Sequence, residues 1–320
     1  MSCTFERVFY PSADGVNEIA AYVAAPEDGR VRGILQIVHG MSEYFLRYRP
    51  ICEFLVTNGF VVCGNDHLGH GDTAQSEEDL GFFAEKDGAD ILASDVNALS
   101  ELVRARYPKA LHILLGHSMG SLIARYCIAI YPDITDSAII MGTVGPGNPA
   151  SLAKLCARIN GRLFGSFNRS ATIKSLAFGS YTKRFPKEEG GLSWLSGDAD
   201  VRREYEEDPN SGFTFTASGY YDLFDLTAKV NKKEWAESID KSLPILLVSG
   251  RKDPCGDYGR GVVKVCEMLI GAGVENTRIK IYPESRHEIL NDVEKDEVFA
   301  DILSWAMGIC DEIERLSADE

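Results

Sequence analysis

One short stretch of this 320-residue chain constrains its fold more than any other. An apolar run, 113–115, is followed by Gly-His-Ser-Met-Gly at 116–120 and then by a second apolar run with helical character, 122–130. The pattern G-x-S-x-G between a buried strand and a helix is typical of a sharp turn that lifts its serine above a β-sheet. Because the two glycines lack a Cβ atom, strand and helix can approach closely. We therefore predict that Ser118 is a nucleophile at the N-terminus of a helix, where the helix dipole favours negative charge.

Strand-like and helical segments alternate in the two outer parts of the chain. The predicted strands cover 5–10, 18–24, 31–38, 60–63, 113–115, 136–141, 244–250 and 278–282. The predicted helices cover 48–58, 91–107, 122–130, 259–271 and 293–316. The alternation predicts an α/β fold in which a mostly parallel central sheet carries helices on both faces.

The alternation stops between residues 145 and 235. This interval contains helical pieces, glycines and aromatic residues, but no strand–helix rhythm. Open α/β sheets bind ligands at the carboxyl ends of their strands. We therefore predict that 145–235 is an inserted helical cap over that edge, and that 1–144 and 236–320 together form the core.

Composition narrows the class of protein. Hydrophobic residues make up 45% of the chain and charged residues 25%, as in ordinary globular proteins. The formal net charge of −15 argues against nucleic acid as a partner. No apolar window reaches the length of a membrane span, and the N-terminus does not have the pattern of a secretory signal. The eight cysteines are scattered without C-x-x-C pairs, which predicts reduced thiols in a cytoplasmic protein and neither disulfides nor a zinc site.

A serine hydroxyl is a weak nucleophile at neutral pH and needs a neighbouring base, which in turn needs an orienting acid. In folds with this kind of turn, the chain order is serine, acid, histidine. Of the six histidines only His287 follows Ser118, and it lies just after the last predicted strand. His287 is therefore the predicted base.

The acid is expected at the end of the strand before the last one. Asp253 has this position and is followed by a proline, so it is the predicted acid. Asp257, four residues further on, is the alternative. Asp222 and Asp225 fall in the predicted cap and are weaker candidates.

Main-chain N–H groups are expected to hold the negative charge that develops on the substrate oxygen. The residue after the nucleophile, Met119, supplies one donor, and the loop 39–43 after the third strand supplies the second, assigned to Met41. The flexible side chains of both methionines are also suited to an acyl pocket. Glu43, from the same loop, is predicted to contact substrate. The remaining histidines are interpreted as structural residues: His39, His67, His70, His112 and His117.

The predicted cap is segregated in charge. The interval 154–187 contains eight basic residues and no acidic one, in a chain that is acidic overall. Lys154, Arg158 and Arg162 are spaced by four and share a helix face, with leucines and an isoleucine towards the other face. This pattern predicts a basic amphipathic helix that makes transient contact with a membrane surface, and Arg158 and Arg162 are predicted to bind substrate. The alternative is a solvated face that balances the acidic body or pairs with the acidic interval 188–208.

Five stretches carry a family resemblance. They are His-Gly-Met-Ser-Glu (39–43), Asn-Asp-His-Leu-Gly-His-Gly (65–71), Gly-His-Ser-Met-Gly (116–120), Gly-Arg-Lys-Asp-Pro (250–254) and Ser-Arg-His-Glu (285–288). In order and spacing they resemble the monoacylglycerol lipase and lysophospholipase branch of the α/β-hydrolases and, more loosely, the proline iminopeptidase branch. The stretch 208–218 in the predicted cap is similar to bacterial lysophospholipase-like members.

The resemblance implies a serine hydrolase that cleaves carboxylic esters of single-acyl-chain lipids through an acyl-enzyme, without metal or cofactor. Monoacylglycerols and lysophospholipids are the implied substrates. Three alternatives remain at this point: a general carboxylesterase, a peptidase that removes N-terminal residues, and an inactive fold used as a ligand carrier. The peptidase would need an acidic group for the substrate's α-amino group, for which Glu204, Glu206 or Glu207 are available.

Overall fold

A single sheet forms the centre of the molecule in the computed structural model, which describes residues 3–318. In that part of the chain, the sheet has eight strands in the order β1-β2-β4-β3-β5-β6-β7-β8. They are β1 (Glu6–Pro11), β2 (Glu18–Ala24), β3 (Gly33–Val38), β4 (Phe60–Asn65), β5 (Leu111–His117), β6 (Ser137–Met141), β7 (Ile245–Gly250) and β8 (Thr277–Tyr282). β2 runs antiparallel to β1 and β4, and the other neighbours are parallel, so the predicted mostly parallel sheet is confirmed.

Helices cover both faces of the sheet. Those that connect its strands or follow the last one are α1 (Arg49–Thr57), α2 (Gly88–Arg106), α3 (Met119–Ile130), α9 (Arg260–Gly271) and α10 (Lys295–Ala318). Two hydrophobic clusters lie on opposite faces, because side chains alternate along each strand. In β3, Ile34 belongs to one cluster and Leu35 to the other.

The interval between β6 and β7 is helical in the described structure. It contains α4 (Ala150–Phe164), α5 (Ala171–Phe178), α6 (Ala199–Glu207), α7 (Ala217–Val230) and α8 (Lys233–Ser238). We call residues 145–235 the cap segment. Within residues 3–318, no helix has the length and apolar character that crossing a membrane requires.

Arg125 on α3 connects the core to the chain just before the cap segment and to the chain near its end. Its guanidinium is fully buried and donates to the carbonyl oxygen of Val144, at 3.0 Å, and to that of Val230. The same group lies 4.3 Å from the ring centre of Trp235, whose Nε1 donates to the Arg125 carbonyl at 2.6 Å. Because α3 begins directly after Ser118, one helix holds the candidate nucleophile at its start and both cap attachments further along.

Candidate active site

The turn at Ser118 has the strained conformation that its glycines suggested. Ser118 has φ 53° and ψ −118°, values that a non-glycine residue rarely adopts. A Cβ atom on Gly116 would lie 2.3 Å from the carbonyl oxygen of Gly120, and one on Gly120 would lie 2.0 Å from that of Val38. Glycine is therefore required at both positions. The Ser118 N–H donates to the Met141 carbonyl at 3.0 Å, which fixes the turn against the neighbouring strand.

Ser118, His287 and Asp253 lie in line at the carboxyl ends of β5, β8 and β7. His287 Nε2 is 2.8 Å from Ser118 Oγ, and His287 Nδ1 is 3.0 Å from Asp253 Oδ2. The serine side chain is partly exposed, whereas the aspartate is fully buried. In this arrangement the imidazole can take the proton of the serine hydroxyl while the carboxylate stabilises the resulting positive charge.

The alternative acids lie elsewhere. Asp257 is exposed and forms an ion pair with Arg260, at 2.7 Å. Asp222 and Asp225 are on α7, where Asp225 pairs with Lys154 and Lys229. The structure places Asp253, and none of these three, against the His287 ring.

The cap segment holds the His287 loop by its backbone. The Leu195 carbonyl accepts hydrogen bonds from the N–H groups of His287, at 3.1 Å, and Glu288, at 2.9 Å. The Trp194 ring lies 5.1 Å from the His287 ring. The position of the candidate base therefore depends on the cap segment as well as on the core.

A buried charge network, which sequence reasoning missed, lies behind His287. His117 Nδ1 is 3.2 Å from Glu43 Oε1, and His117 Nε2 is 3.3 Å from the His287 carbonyl oxygen. Tyr48 donates its hydroxyl hydrogen to Glu43 at 2.8 Å, and Arg47 joins Glu43 to Glu288. Every ion pair in this network is almost fully enclosed, so its charges are little screened by solvent.

The two central members of this network shift each other's protonation. Burial alone would lower the pKa of His117, but its bond to Glu43 raises it above the usual value. Burial alone would raise the pKa of Glu43, but His117 and Arg47 hold it below its usual value. Both shifts favour an imidazolium paired with a carboxylate, and the charged His117 ring can donate to the His287 carbonyl.

The loop 39–43 lies against the serine. A Cβ atom on Gly40 would be 3.1 Å from Ser118 Cβ, and Met41 lines the space beside Ser118. Glu43 accepts a hydrogen bond from the Gly40 N–H at 2.6 Å, which adds to its contacts with Tyr48, His117 and Arg47. The carboxylate of Glu43, predicted to contact substrate, is therefore held by internal partners.

Of the three histidines in the N-terminal loops, His39, His67 and His70, the first and the third accept hydrogen bonds from main-chain N–H groups. His39 Nε2 accepts from the His67 N–H at 3.0 Å, and His70 Nε2 accepts from the Ser42 N–H at 3.2 Å. All three rings are fully buried, and burial lowers their pKa values, which keeps them neutral. These contacts fix the loop that carries Met41.

Two cavities open beside Ser118. The first, of about 440 Å³, is mainly apolar and runs from Ser118 past Met119 between α4, α5 and α7. The second, of about 720 Å³, lies on the His287 side and has charged residues of both signs in its wall. Those charged residues are Glu43, Lys174, Glu188, Glu189, Arg202, Arg203, Glu206 and Glu288. Both walls are mainly apolar, but that of the first cavity includes two charged residues, Asp257 and Lys264, so a substrate at Ser118 has one side with few charged groups and one side with many.

The structure does not place Arg158 and Arg162 beside Ser118. Neither residue lines either of the two cavities. Arg158 is exposed and donates to the hydroxyl oxygen of Tyr221 at 2.6 Å, while Arg162 lies exposed in the last turn of α4. Alanines of α4 face the protein, and its large apolar side chains are 48–70% exposed. The exposed set is Leu152, Leu155, Ile159, Leu163 and Phe164.

Together, the sheet topology, the turn at Ser118 and the aligned serine, histidine and aspartate define an α/β-hydrolase. Residues 29–294 match the family described as serine aminopeptidase S33, and the chain belongs to that family. It is a serine hydrolase, and the resemblance drawn from the five sequence stretches is confirmed.

Relatives within this class carry esterase and lipase names. A monoacylglycerol lipase of Mycolicibacterium smegmatis is 26% identical over 278 residues, which cover 87% of this chain and 89% of that protein. The human monoglyceride lipase is 22% identical, over 87% of this chain and 83% of its own length. The crystal structure of a thermostable carboxyl esterase from Bacillus coagulans, in complex with glycerol, has a TM-score of 0.90 at 31% identity. The match covers 96% of this chain and 99% of that one.

Proposed function

We propose that this protein hydrolyses carboxylic esters with a single acyl chain, monoacylglycerols or lysophospholipids, through an acyl-enzyme on Ser118. The observation that carries the proposal is the pair of cavities lined by Ser118, one with two charged residues in its wall and the other with eight. An ester of this kind has an apolar chain on one side of its carbonyl carbon and a polar alcohol on the other. The esterase and lipase names of the relatives agree with this substrate class.

The chemistry follows from the three aligned side chains. His287 Nε2 takes the proton of Ser118 as Oγ attacks the ester carbonyl, and Asp253 stabilises the imidazolium. The oxyanion forms where the N–H groups of Met41 and Met119 are proposed to donate to it. His287 then protonates the leaving alcohol. In the second half of the cycle His287 activates a water molecule, which releases the fatty acid and regenerates Ser118.

We assign the apolar cavity to the acyl chain. Its walls include Leu122, Leu152, Leu176, Leu223 and Phe224, which offer apolar contact to an acyl chain. The cavity on the His287 side then takes the alcohol, since the leaving oxygen must lie near Nε2 to be protonated. In this assignment the cap segment, residues 145–235, forms most of the acyl site and determines the substrate.

We further propose that α4 is the part of the cap that meets a lipid surface. The exposed apolar side chains of α4 support this, as an isolated solvent-facing stripe of leucines is otherwise unfavourable. Lys154 is engaged by Asp225 and Arg158 by Tyr221, so the contact is proposed to depend on the apolar stripe more than on these basic residues. The acyl cavity reaches the same stripe at Leu152, which would connect it to the surface.

The second candidate is removal of N-terminal residues from peptides. The family description supports it, and so does Glu206, which lines the cavity on the His287 side of Ser118. Glu204 and Glu207, the other acids considered for an α-amino group, do not line that cavity. The apolar cavity is unlike what a small amino-acid side chain needs, so we favour the ester.

The test is a direct comparison of substrates. Fluorophosphonate labelling of the wild type, lost in Ser118→Ala, would establish the nucleophile. Hydrolysis of a p-nitrophenyl ester series from short to long chains, beside aminoacyl-naphthylamides, would then rank the candidates. We expect kcat/KM to rise with acyl length and no peptidase turnover. Labelling of Ser118 with turnover of the naphthylamides alone would replace the esterase proposal with the peptidase, and a wild type that stays unlabelled would refute both.

A further inference from the structure

Cys255 lies against the candidate acid and base. It follows Asp253 by two residues, and its N–H donates to Asp253 Oδ1 at 2.8 Å, which tightens the turn between them. The Cys255 Sγ, a carboxylate oxygen of Asp253 and a ring nitrogen of His287 all lie within 4.8 Å of one another. Neither the ester nor the peptidase mechanism uses this thiol. The cluster therefore holds a sulfur, a nitrogen and an oxygen donor in one small volume.

This donor set suits a zinc ion. Zn²⁺ binds thiolate, imidazole and carboxylate at about 2.0–2.3 Å in tetrahedral geometry, which separates its ligand atoms by roughly 3.3–3.8 Å. The carboxylate and the imidazole are 3.0 Å apart and the thiol is within 4.8 Å of both, so small side-chain rotations reach this spacing. Cys255 lines both cavities beside Ser118, which gives an entry path and leaves a fourth position for water. Mg²⁺ and Ca²⁺ prefer all-oxygen sites and do not fit.

We propose that Asp253, Cys255 and His287 form an inhibitory site for Zn²⁺. Binding replaces the thiol hydrogen by the metal, and that proton leaves to solvent. Nδ1 of His287, the ring nitrogen beside Asp253, then coordinates zinc while its proton passes to Nε2, and the carboxylate of Asp253 turns from the imidazole to the ion. His287 can no longer accept the proton of Ser118, so hydrolysis stops until a chelator removes the metal. The inhibitory part rests on the proposed role of Ser118 and His287, whereas metal binding does not.

Cobalt gives a readout that is independent of activity. Co²⁺ added to the Ser118→Ala protein should produce a thiolate-to-cobalt absorption band that Zn²⁺ displaces. The band should be absent in Cys255→Ser and Cys255→Ala and unchanged in Cys156→Ser, a matched control on α4. Circular dichroism melts of both Cys255 variants would establish that they are folded.

The activity measurement follows on the same variants. Zn²⁺ should inhibit ester hydrolysis by the wild type and by Cys156→Ser, reversibly with EDTA. In Cys255→Ser the inhibitory concentration should rise at least about tenfold, the usual scale for weakening a metal site. Equal zinc sensitivity in Cys255→Ser and the wild type would overturn the proposal, as would a cobalt spectrum without a thiolate band. If no ester is hydrolysed, the proposed function fails while the cobalt band still decides whether the site exists.

Discussion

His117 and Glu43 form a buried ion pair, 3.2 Å from Nδ1 to Oε1, directly behind the loop that carries His287. The second ring nitrogen of His117 lies 3.3 Å from the carbonyl oxygen of His287. A residue of the nucleophile turn is thus joined by one ring to the loop 39–43 and to the candidate base. Loss of this pair should lower the free energy of unfolding and displace His287.

The pair predicts a defined pH dependence of stability. The pKa of His117 is raised in the folded protein. Its contribution to the free energy of unfolding is therefore complete below about pH 6.5, the pKa in the unfolded chain, and is lost as pH rises through the pKa in the folded protein. The pKa of Glu43 is lowered, so its contribution is present above its ordinary value and is lost only in strong acid. His117→Gln should therefore destabilise the protein more at pH 5.5 than at pH 8.5, measured by urea unfolding.

His112 provides a control of opposite sign for this prediction. Burial lowers its pKa to about 3, so it is neutral in the folded protein while the unfolded chain binds a proton below about pH 6.5. Its contribution to stability should grow as pH rises from 4 to 7. An equal pH slope for His117→Gln and His112→Gln would contradict the charged state assigned to His117.

The choice of acid can be tested by comparing two aspartates. Asp253→Asn should lower kcat for ester hydrolysis by about 10⁴, since an amide cannot stabilise the imidazolium. Asp257→Asn removes an exposed carboxylate that pairs with Arg260 and should lower kcat by less than about tenfold. Steady-state kinetics on one p-nitrophenyl ester suffices for both. A larger loss in Asp257→Asn than in Asp253→Asn would reverse the assignment.

Arg125→Met should release the cap segment. The substitution leaves the Val144 and Val230 carbonyl oxygens without their guanidinium donor and removes the charge above Trp235. Unpaired buried polar groups cost about 1–3 kcal/mol each, so we expect a total loss of roughly 2–4 kcal/mol in unfolding free energy. Limited proteolysis should cut within 145–235 before the core. Arg158→Met, which removes one exposed contact to Tyr221, is the matched control. It should neither lower the unfolding free energy by this amount nor make 145–235 the first site of proteolysis.

Asp222 is expected to destabilise the protein at neutral pH. Its carboxylate is buried, one oxygen lacks a hydrogen-bond partner, and burial together with Asp225 raises its pKa to about 8. The unfolded chain gives up this proton at lower pH than the folded protein. The loss of unfolding free energy that Asp222 causes therefore grows between about pH 4 and 8. The change in unfolding free energy caused by Asp222→Asn should be more stabilising at pH 8 than at pH 4, by at least about 1 kcal/mol.

Asp225→Asn gives the contrast for that experiment. Asp225 pairs with Lys154 and Lys229, so its amide variant should be less stable than the wild type at pH 8. Chemical denaturation at both pH values distinguishes the two variants. Parallel pH curves for wild type and Asp222→Asn would show that the buried carboxyl does not titrate as expected.

The exposed stripe on α4 predicts binding to lipid vesicles. Leu155→Ser with Ile159→Ser should weaken binding to neutral and anionic vesicles alike, because burial of the apolar side chains drives it. Arg158→Gln with Arg162→Gln should weaken binding only to anionic vesicles, and by less. Cosedimentation with vesicles of both compositions measures this. A double serine variant that binds like the wild type would exclude α4 as the contact.

The sequence predicted well what depends on local pattern. β2 has the predicted bounds, and the other core strands and helices begin and end within a few residues of their predictions. The bounds of these elements follow from the alternation of apolar side chains, and the turn at Ser118 follows from the glycines at 116 and 120. Both are patterns of neighbouring residues. Ser118, Asp253 and His287 were assigned from the order serine, acid, histidine that folds with this turn share, and the structure brings the three side chains together.

What depends on distant contacts could not be predicted. Glu43 looked available to substrate because nothing local shows that Tyr48, His117 and Arg47 would enclose it. It was likewise not predictable that the leucines of α4 face solvent, since the packed side of α4, which carries the alanines, is defined only once α7 is in place. Cys255 lies 32 residues before His287, and no spaced motif in the sequence indicates that its sulfur would lie near the His287 ring.

Arg125 has a consequence for exchange of the cap segment. The chain just before the segment and the chain near its end meet at one guanidinium, on the helix that begins next to Ser118. A replacement segment of another length would have to present a carbonyl oxygen to this guanidinium and, as Leu195 does, another to the loop of His287. Such an exchange would rebuild the walls of both cavities and leave Ser118, Asp253 and His287, which lie outside the segment, unchanged.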